Sequence, residues 1–359
     1  MDKDKLKVLN HYHVVFLIQN VMVGTTVLSL PNRLSSMGYS QWWMPLLFGV
    51  IANIVLIPMI WLGLQYRDDN LFVIHEKLLG KWLGKSINVF LLVYFIVVIA
   101  AVCASYLQLI QVVALIDRTI TGPLIIFLLM LIYIVNGGIK SVARFCIMAF
   151  FLTIGTVFIL KWGFVEGEIS HMFPIFNFNS QEFYTATKKG LMAVGGFELI
   201  SFYFPHIIHQ NKALRHASLG IWLCVLFTFL FTFISVMYFS EWQLRELLYP
   251  VLNLFKEVEL SFLERIDVLG ITLWVFLILS TTAAYLWVAK KGVDSILSKS
   301  KSAHIYMIVV VVYLIVQIPF MQEFQKLLFE RVFYIMYAMF VWPILLCTIH
   351  VMKPKRTRG

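Results

Sequence analysis

One acidic residue lies deep inside an apolar stretch and is therefore the first candidate for chemistry. Glu198 sits within an uncharged apolar run. A charged side chain at the centre of a bilayer costs roughly 3 kcal/mol on insertion scales, so it faces the protein interior and finds a partner there. The sequence leaves several roles open for this carboxyl group. The candidate roles are pairing with a ligand ammonium, holding a proton, organising the local backbone, and bonding to a neighbouring helix as a purely structural group.

Two glycine-containing segments interrupt apolar stretches that are otherwise typical of helices. They are Gly24-Thr25-Thr26 and Gly195-Gly196-Phe197-Glu198. Glycine costs about 1 kcal/mol relative to alanine in a helix, and adjacent β-branched threonines add crowding. At membrane depth, unwound backbone is tolerated only where protein or a wet cavity satisfies it, so a pair of broken helices indicates a ligand site. The half-helix after each break would offer free N–H groups to a carboxylate.

The alternative explanation of both glycine segments is close helix packing, which small residues also permit. Polar side chains elsewhere have a similar ambiguity. Tyr106, Thr281 and Thr282 are polar enough to line a pocket with the two breaks, and each could equally bond to a neighbouring helix.

The elements that must position these residues are membrane-spanning helices. Hydrophobic residues make up 60% of the 359 positions and charged residues 13%, and the mean hydropathy is +0.85. Soluble domains carry about 25% charged residues. A helix crosses the ~30 Å hydrocarbon core with about 20 apolar residues. The apolar stretches predict ten spans: 12–30, 42–64, 86–116, 123–139, 145–164, 189–208, 219–239, 268–289, 304–320 and 332–351.

The distribution of basic residues predicts the orientation. One alternating set of loops, together with both tails, carries 19 of the 29 Lys and Arg residues and has a net charge of +13, whereas the other set has −2. Loops rich in Lys and Arg lie in the cytoplasm, so we expect both termini there. The overall charge of +10 then reflects topology and attraction to anionic lipid, and a nucleic-acid partner is disfavoured.

No soluble domain is expected; residues 1–359 form a single transmembrane domain. The first apolar stretch ends without a small-residue cleavage pattern, so we expect it to remain as the first span. Between spans, Asn70 is placed to cap a short helix. Loop 240–267 has an apolar stripe among acidic residues and predicts an interfacial helix on the outer face.

Cysteine and histidine give no sign of a metal or cofactor site. The four cysteines fall in four different predicted spans, without a close-spaced partner. His206, His209 and His216 are close in sequence, but they lie in a short basic loop predicted to be cytoplasmic. We therefore expect no metal, no cofactor and no enzymatic activity.

The ten spans divide into two halves, 12–164 and 189–351, each of which begins with a broken helix. With five crossings per half, repeats would be inverted relative to each other. No strong internal sequence identity supports the repeat. The inference of a repeat therefore depends on the matching positions of the two breaks.

Several motifs resemble those of the spore-germination permeases, the B-type subunits of germinant receptors within the amino acid/polyamine/organocation superfamily. The stretch 20–31, NVMVGTTVLSLP, is similar to helix one of that family, and Gly196-Phe197-Glu198 is similar to helix six. Further matches lie at 71–84, 217–220 and 249–265. The resemblance covers nearly the whole chain.

The resemblance implies a LeuT-like fold of ten helices in two inverted five-helix halves. It implies a small nutrient germinant, commonly an amino acid, bound between helices one, three, six and eight. It also implies an A-type membrane subunit and a C-type lipoprotein as partners, in the inner membrane of a bacterial spore.

Two departures from the superfamily pattern bear on mechanism. Its amino-acid permeases often have Gly-x-Gly in helix one, whereas Thr26 stands at the third position here and restricts the approach of a carboxylate. Some members have a lysine within helix five, whereas Lys161 lies near the outer end of the predicted span. The first departure weakens the expectation of carboxylate recognition, although the Thr26 hydroxyl is a substitute donor, and the second removes support for proton-coupled uptake. The family resemblance favours a sensor that shifts between two states, and a permease that works by alternating access remains the alternative.

Overall fold

The computed structural model describes residues 7–114, 119–257, 266–297, 300–317 and 322–353. Within these ranges the regular structure is helical, apart from one isolated β-bridge. The α-helices are α1 His11–Met22, α2 Thr26–Leu34, α3 Met44–Gln65, α4 Leu71–Leu79, α5 Lys81–Val113, α6 Thr121–Asn136, α7 Gly138–Thr153, α8 Leu160–Glu166, α9 Ser180–Gly190, α10 Ile200–Tyr203, α11 Ala213–Tyr238, α12 Glu241–Glu246, α13 Pro250–Lys256, α14 Ile266–Leu297, α15 Ala303–Gln317 and α16 Gln322–Met352.

Six helical stretches of the described residues are long and apolar enough to cross a membrane. They are Thr26–Gln65, Lys81–Val113, Gly138–Glu166, Gln210–Tyr238, Ile266–Leu297 and Tyr334–Met352. The first is not one rod, because Gly38 has φ +55° and ψ −139° and turns the chain between α2 and α3. Helices α6 and α15 are apolar but shorter. The chain is therefore an all-helical, multi-pass membrane protein.

The predicted spans 12–30 and 189–208 are not continuous helices. The first consists of α1 and α2, separated by residues 23–25. The second is a series of short pieces, with 3-10 turns at Leu191–Val194, Phe197–Leu199 and Phe204–His206 on either side of α10. Both interruptions fall where the glycine segments predicted them. The predicted residues 115–116, 258–265 and 318–320 lie outside the described residues.

Helix α1 is at the centre of the molecule. It packs against α7, α11 and α14, and α14 packs along α5. The side chains of Val14, Leu17 and Ile18 are fully buried. A helix that is enclosed on several sides by other helices is well placed to hold a break, since neighbouring protein can satisfy the freed backbone groups.

The connections between the long helices agree only in part with the sequence. The Asn70 side chain accepts a hydrogen bond from the Val73 N–H at 3.1 Å, which confirms the predicted cap of α4. The described residues of loop 240–267 include two short helices, α12 and α13. The apolar side chains of α13 are buried against α2 and α14, whereas Trp242 of α12 and Leu248 after it are exposed. The position of this loop at the lipid interface stays a prediction.

A short backbone pairing joins the N-terminal tail to the loop before α11. The N–H groups of Val8 and Leu9 both donate to the His206 carbonyl at 2.9 Å, and the Ile208 N–H donates to the Leu9 carbonyl at 2.9 Å. This is the β-bridge between Leu9 and Ile207. It closes the end of the molecule that carries the basic loops.

Candidate ligand site at two broken helices

The break in the first span leaves an open position at a glycine. Helix α1 ends at Met22, Val23 is extended with φ −83° and ψ 97°, and α2 starts at Thr26. A Cβ atom built on Gly24 meets no other atom within 4 Å. Gly24, Thr25 and Thr26 are all partly exposed, in contrast to the buried residues on both sides. The backbone of this segment therefore faces open space at the place predicted for a ligand.

Thr281 of α14 satisfies the freed end of α1. Its hydroxyl lies 3.0 Å from the Asn20 carbonyl oxygen and 3.1 Å from the Val23 carbonyl oxygen. The Val23 carbonyl lies past the end of α1, where the helix offers it no N–H partner, whereas the Asn20 carbonyl also accepts from the Val23 N–H at 3.2 Å. The structure thus brings Thr281 to the first break, where it contacts backbone of the break itself.

The second break lies directly against the first. Gly196 has φ +115°, a conformation that L side chains rarely adopt, and a Cβ atom there would lie 2.7 Å from the Val21 carbonyl oxygen. Only glycine permits this approach between the two backbones. A Cβ atom on Gly195 would overlap the Met336 sulfur of α16. The two glycines therefore have packing roles that Gly24 does not have.

Glu198 organises the second break. Its Oε2 accepts a hydrogen bond from the Gly196 N–H at 2.7 Å, and its Oε1 accepts one from the Tyr285 hydroxyl of α14 at 3.1 Å. The residue is 1% exposed. No ion pair of the described residues involves Glu198. A cationic partner for this carboxyl group therefore has to come from outside that part of the chain.

The other three predicted contacts hold helices in place. Phe197 stacks on Phe340 of α16, with ring centroids 5.1 Å apart. The Tyr106 hydroxyl of α5 donates to the Ile271 carbonyl of α14 at 2.8 Å. The Thr282 hydroxyl donates to a carbonyl of its own helix. A contact of these three residues with ligand stays a prediction.

Two residues that the sequence analysis did not select belong to the same region. The Asn20 side chain donates to the Cys146 carbonyl of α7 at 2.9 Å, and its Oδ1 accepts from the Ser280 hydroxyl at 3.2 Å. Tyr285 holds Glu198. Helical spacing is the signal that could have found both, since Asn20 precedes Gly24 by four residues and Tyr285 follows Thr281 by four.

Comparison with known proteins decides the family. The family model described as "Spore germination protein" matches residues 8–325. The chain belongs to this spore germination protein family. The predicted resemblance is thereby confirmed, and the similar proteins come from Bacillus.

Curated relatives of this spore germination protein align over most of their length. Spore germination protein GerQB of Bacillus cereus is 25% identical over 85% of this chain and 84% of its own. Spore germination protein B2 of Bacillus subtilis is 25% identical over 72% of each chain. Spore germination protein A2 of the same species is 22% identical over 97% of each chain.

A solved transporter has the same fold. It is MHP1, a nucleobase-cation-symport-1 family transporter, in a closed conformation with bromovinylhydantoin bound. The TM-score is 0.64 at 12% identity, and the match covers 90% of this chain and 75% of the transporter. This spore germination protein is thus a membrane protein with a permease-like fold.

Proposed function

We propose that the protein is the nutrient-sensing subunit of a spore germinant receptor and binds a small metabolite at the two helix breaks. The observation that carries the proposal is the contact between the breaks. Gly196 touches Val21, while Gly24, three residues later in the first break, faces open space. Two interrupted helices side by side at membrane depth are the arrangement in which transporter-like proteins bind substrates.

The chemistry of the site favours an amino acid. The first turn of α2, which begins at Thr26, directs N–H groups and the positive end of the helix dipole toward the break, and this suits a carboxylate. Glu198 supplies a carboxyl group without a cationic partner among the described residues, and this suits an ammonium. An amino acid carries a carboxylate and an ammonium on one carbon, so it matches both the start of α2 and Glu198. The bound molecule would be surrounded by four parts of the chain. These are the α1–α2 pair, α5, the 191–206 segment and α14.

The proposed arrangement is the LeuT-like fold with ten spans in two inverted halves. The halves 12–164 and 189–351 each begin with a break, and the fold of MHP1 supports the arrangement. We also propose that both termini are cytoplasmic and that the protein lies in the inner membrane of the spore. An A-type membrane subunit and a C-type lipoprotein would be its partners there, as the resemblance to B-type subunits of germinant receptors implies.

Transport of the ligand by alternating access is the second candidate function. The fold shared with MHP1 favours it, since that protein is a transporter. Uptake into proteoliposomes separates the two candidates. A sensor should bind its ligand without accumulating it, whereas concentrative uptake by this subunit alone would refute a purely sensory role.

Ligand binding to purified protein tests the site. A panel of amino acids, sugars and nucleosides should yield a bound compound with an ammonium and a carboxylate. Gly24→Leu should abolish its binding, because the leucine side chain fills the open space. Gly155→Leu is the matched control, since a Cβ atom at Gly155 also meets nothing within 4 Å but the residue lies on an exposed face. Equal binding by both variants would contradict the proposed site.

Reporter fusions test the orientation. A reporter after Gly359, which lies outside the described residues, should report cytoplasm. A reporter inserted after Glu257 should report the opposite side. The reverse result at both positions would refute the ten-span topology.

A further inference from the structure

An open pocket of about 200 Å³ lies at the end of the molecule that carries the basic loops. Three segments that are distant in sequence contribute a basic side chain to it. They are Lys7 of the N-terminal tail, Arg67 of the turn after α3, and Lys212 immediately before α11. His209 also lines the pocket. The walls therefore concentrate positive charge.

Hydrogen bonds hold the pocket walls together. The Arg67 guanidinium donates to the Asn211 side-chain oxygen at 2.9 Å, and the Gln210 amide donates to the Arg67 carbonyl at 2.7 Å. The pairing of Leu9 with the 206–208 segment attaches the tail to the same loop. The three basic residues thus lie on a preformed frame.

The positive charges of the pocket have no carboxylate partner within the described part of the chain. Lys7, Arg67 and Lys212 form no ion pair there. Of the two acids that follow Arg67, Asp69 pairs with Lys77 at 2.6 Å, and Asp68 also has a partner. Like charges held close together repel each other unless an anion lies between them.

The start of α11 adds a second reason for an anion. This 26-residue helix has Lys212 at its N-cap and no acidic residue in its first turn. The N-terminus of a helix carries partial positive charge, and a basic residue there is electrostatically unfavourable. An anion in the pocket would relieve both the repulsion among side chains and this unfavourable placement.

About two helical turns after Lys212, α11 has a surface suited to acyl chains. Leu219, Trp222 and Leu226 of α11 are exposed and lie on one face, and Arg215 precedes them on that face by about one turn. A basic residue at the end of an exposed apolar stripe marks the level of lipid headgroups. An anion that enters the pocket can therefore be attached to a lipid.

We propose that this pocket binds the phosphate of an anionic phospholipid, with Lys7, Arg67 and Lys212 as its ligands. A phosphate there would join the N-terminal tail, the turn after α3 and the start of α11. The same segments form the backbone pairing between Leu9 and Ile207. The bound lipid stabilises the closed form of this end of the molecule.

Full-length protein in nanodiscs tests the proposal. Discs of phosphatidylcholine alone are compared with discs that also contain phosphatidylglycerol, and inorganic phosphate is added to the first kind as the soluble anion. Native mass spectrometry counts retained phosphatidylglycerol. Hydrogen exchange follows the Leu9 and Ile208 amides. Phosphatidylglycerol should be retained and should slow exchange of both amides, whereas inorganic phosphate should have little effect.

A matched pair of triple variants makes the test specific. Lys7→Gln/Arg67→Gln/Lys212→Gln should weaken phosphatidylglycerol binding about a hundredfold, because each basic residue beside an anionic surface contributes roughly fivefold. The control Lys81→Gln/Lys85→Gln/Lys140→Gln removes the same charge outside the pocket and should keep binding. Thermal unfolding in phosphatidylcholine discs checks that both variants are folded.

Two results would overturn the proposal. Equal phosphatidylglycerol binding by the two triple variants would show that only net charge matters. Protection of the amides by inorganic phosphate as strong as that by phosphatidylglycerol would assign the pocket to a soluble anion.

Discussion

The carboxyl group of Glu198 can be tested for two separate roles, because the structure shows which bonds each substitution removes. In Glu198→Gln, the remaining carbonyl oxygen can still accept from the Gly196 N–H, and the new NH₂ group can donate to the Tyr285 oxygen. The free energy of unfolding should fall by only about 1 kcal/mol. In Glu198→Ala, both buried donors lose their acceptor, at about 1–3 kcal/mol each.

Ligand affinity should respond in a different order. If the carboxylate pairs with a ligand ammonium, Glu198→Gln removes one partner of a buried charge pair, which costs roughly 2–5 kcal/mol. Affinity should then fall by about thirtyfold to several thousandfold. Tyr285→Phe is the control, because it deletes one hydrogen bond to the carboxylate and leaves the charge. Its affinity loss should be much smaller than that of the glutamine variant.

The assay combines two measurements on the same purified variants. Isothermal titration with the amino acid identified in the panel gives affinity, and thermal unfolding gives stability. Wild-type affinity in Glu198→Gln would refute the pairing with a ligand ammonium. Equal affinity losses in Glu198→Gln and Tyr285→Phe would show that the geometry of the break matters and the charge does not.

Three further predictions concern the breaks and a buried histidine. Gly196→Ala should lower the unfolding free energy by at least about 2 kcal/mol, because the new Cβ atom is strained at a positive φ and collides with the Val21 backbone. Gly24→Ala should stay within about 1 kcal/mol of wild type, since a Cβ atom there meets open space. Thermal unfolding measures both variants. Thr281→Val should cost about 1–3 kcal/mol by leaving the Val23 carbonyl unpaired, and Thr281→Ser should restore the loss. Failure of the serine variant to do so would point to packing. His75 lies on α4, between two spans. Burial lowers the pKa of His75 from 6.5 to about 4, and a hydrogen bond with Asn88 offsets part of that lowering. As the pH falls, His75 takes up its proton at a higher pH in the unfolded chain than in the folded protein. The free energy of unfolding should therefore fall by up to about 3 kcal/mol between pH 6.5 and pH 4. His75→Gln should flatten this pH dependence in thermal unfolding.

Local chemistry in the sequence was enough to predict the two helix breaks and the start of α4. Glycine and β-branched residues located the breaks, and Asn70 located the start of α4, because these effects act within a few residues. The contacts of Thr281 were not predictable, since the carbonyls it satisfies are on a helix some 260 positions away in the chain.

The sequence does not predict well which side chains face protein and which face lipid. In water, an apolar stripe identifies the face of a helix that packs on protein. In a bilayer, lipid and protein neighbours are both apolar, so the same pattern does not separate them. For this reason the sequence does not show that the side chains of α13 pack on α2 and α14.

The attachment of the inner half of the first span decides which parts of the protein can move independently. Asn20 ties α1 to the Cys146 carbonyl of α7 and to Ser280 of α14, and Thr281 holds the end of α1. Helix α2 has different neighbours: it packs on α9 and α13, and its Asn32 side chain donates to the Leu244 and Arg245 carbonyls of α12 at 3.1 and 2.8 Å. The break is thus a joint between two groups of helices, and residues 23–25 are the chain segment that crosses it. A molecule wedged at Gly24 would act on the joint itself, so a pair of labels on α2 and α14 should report ligand as a change in the distance between them.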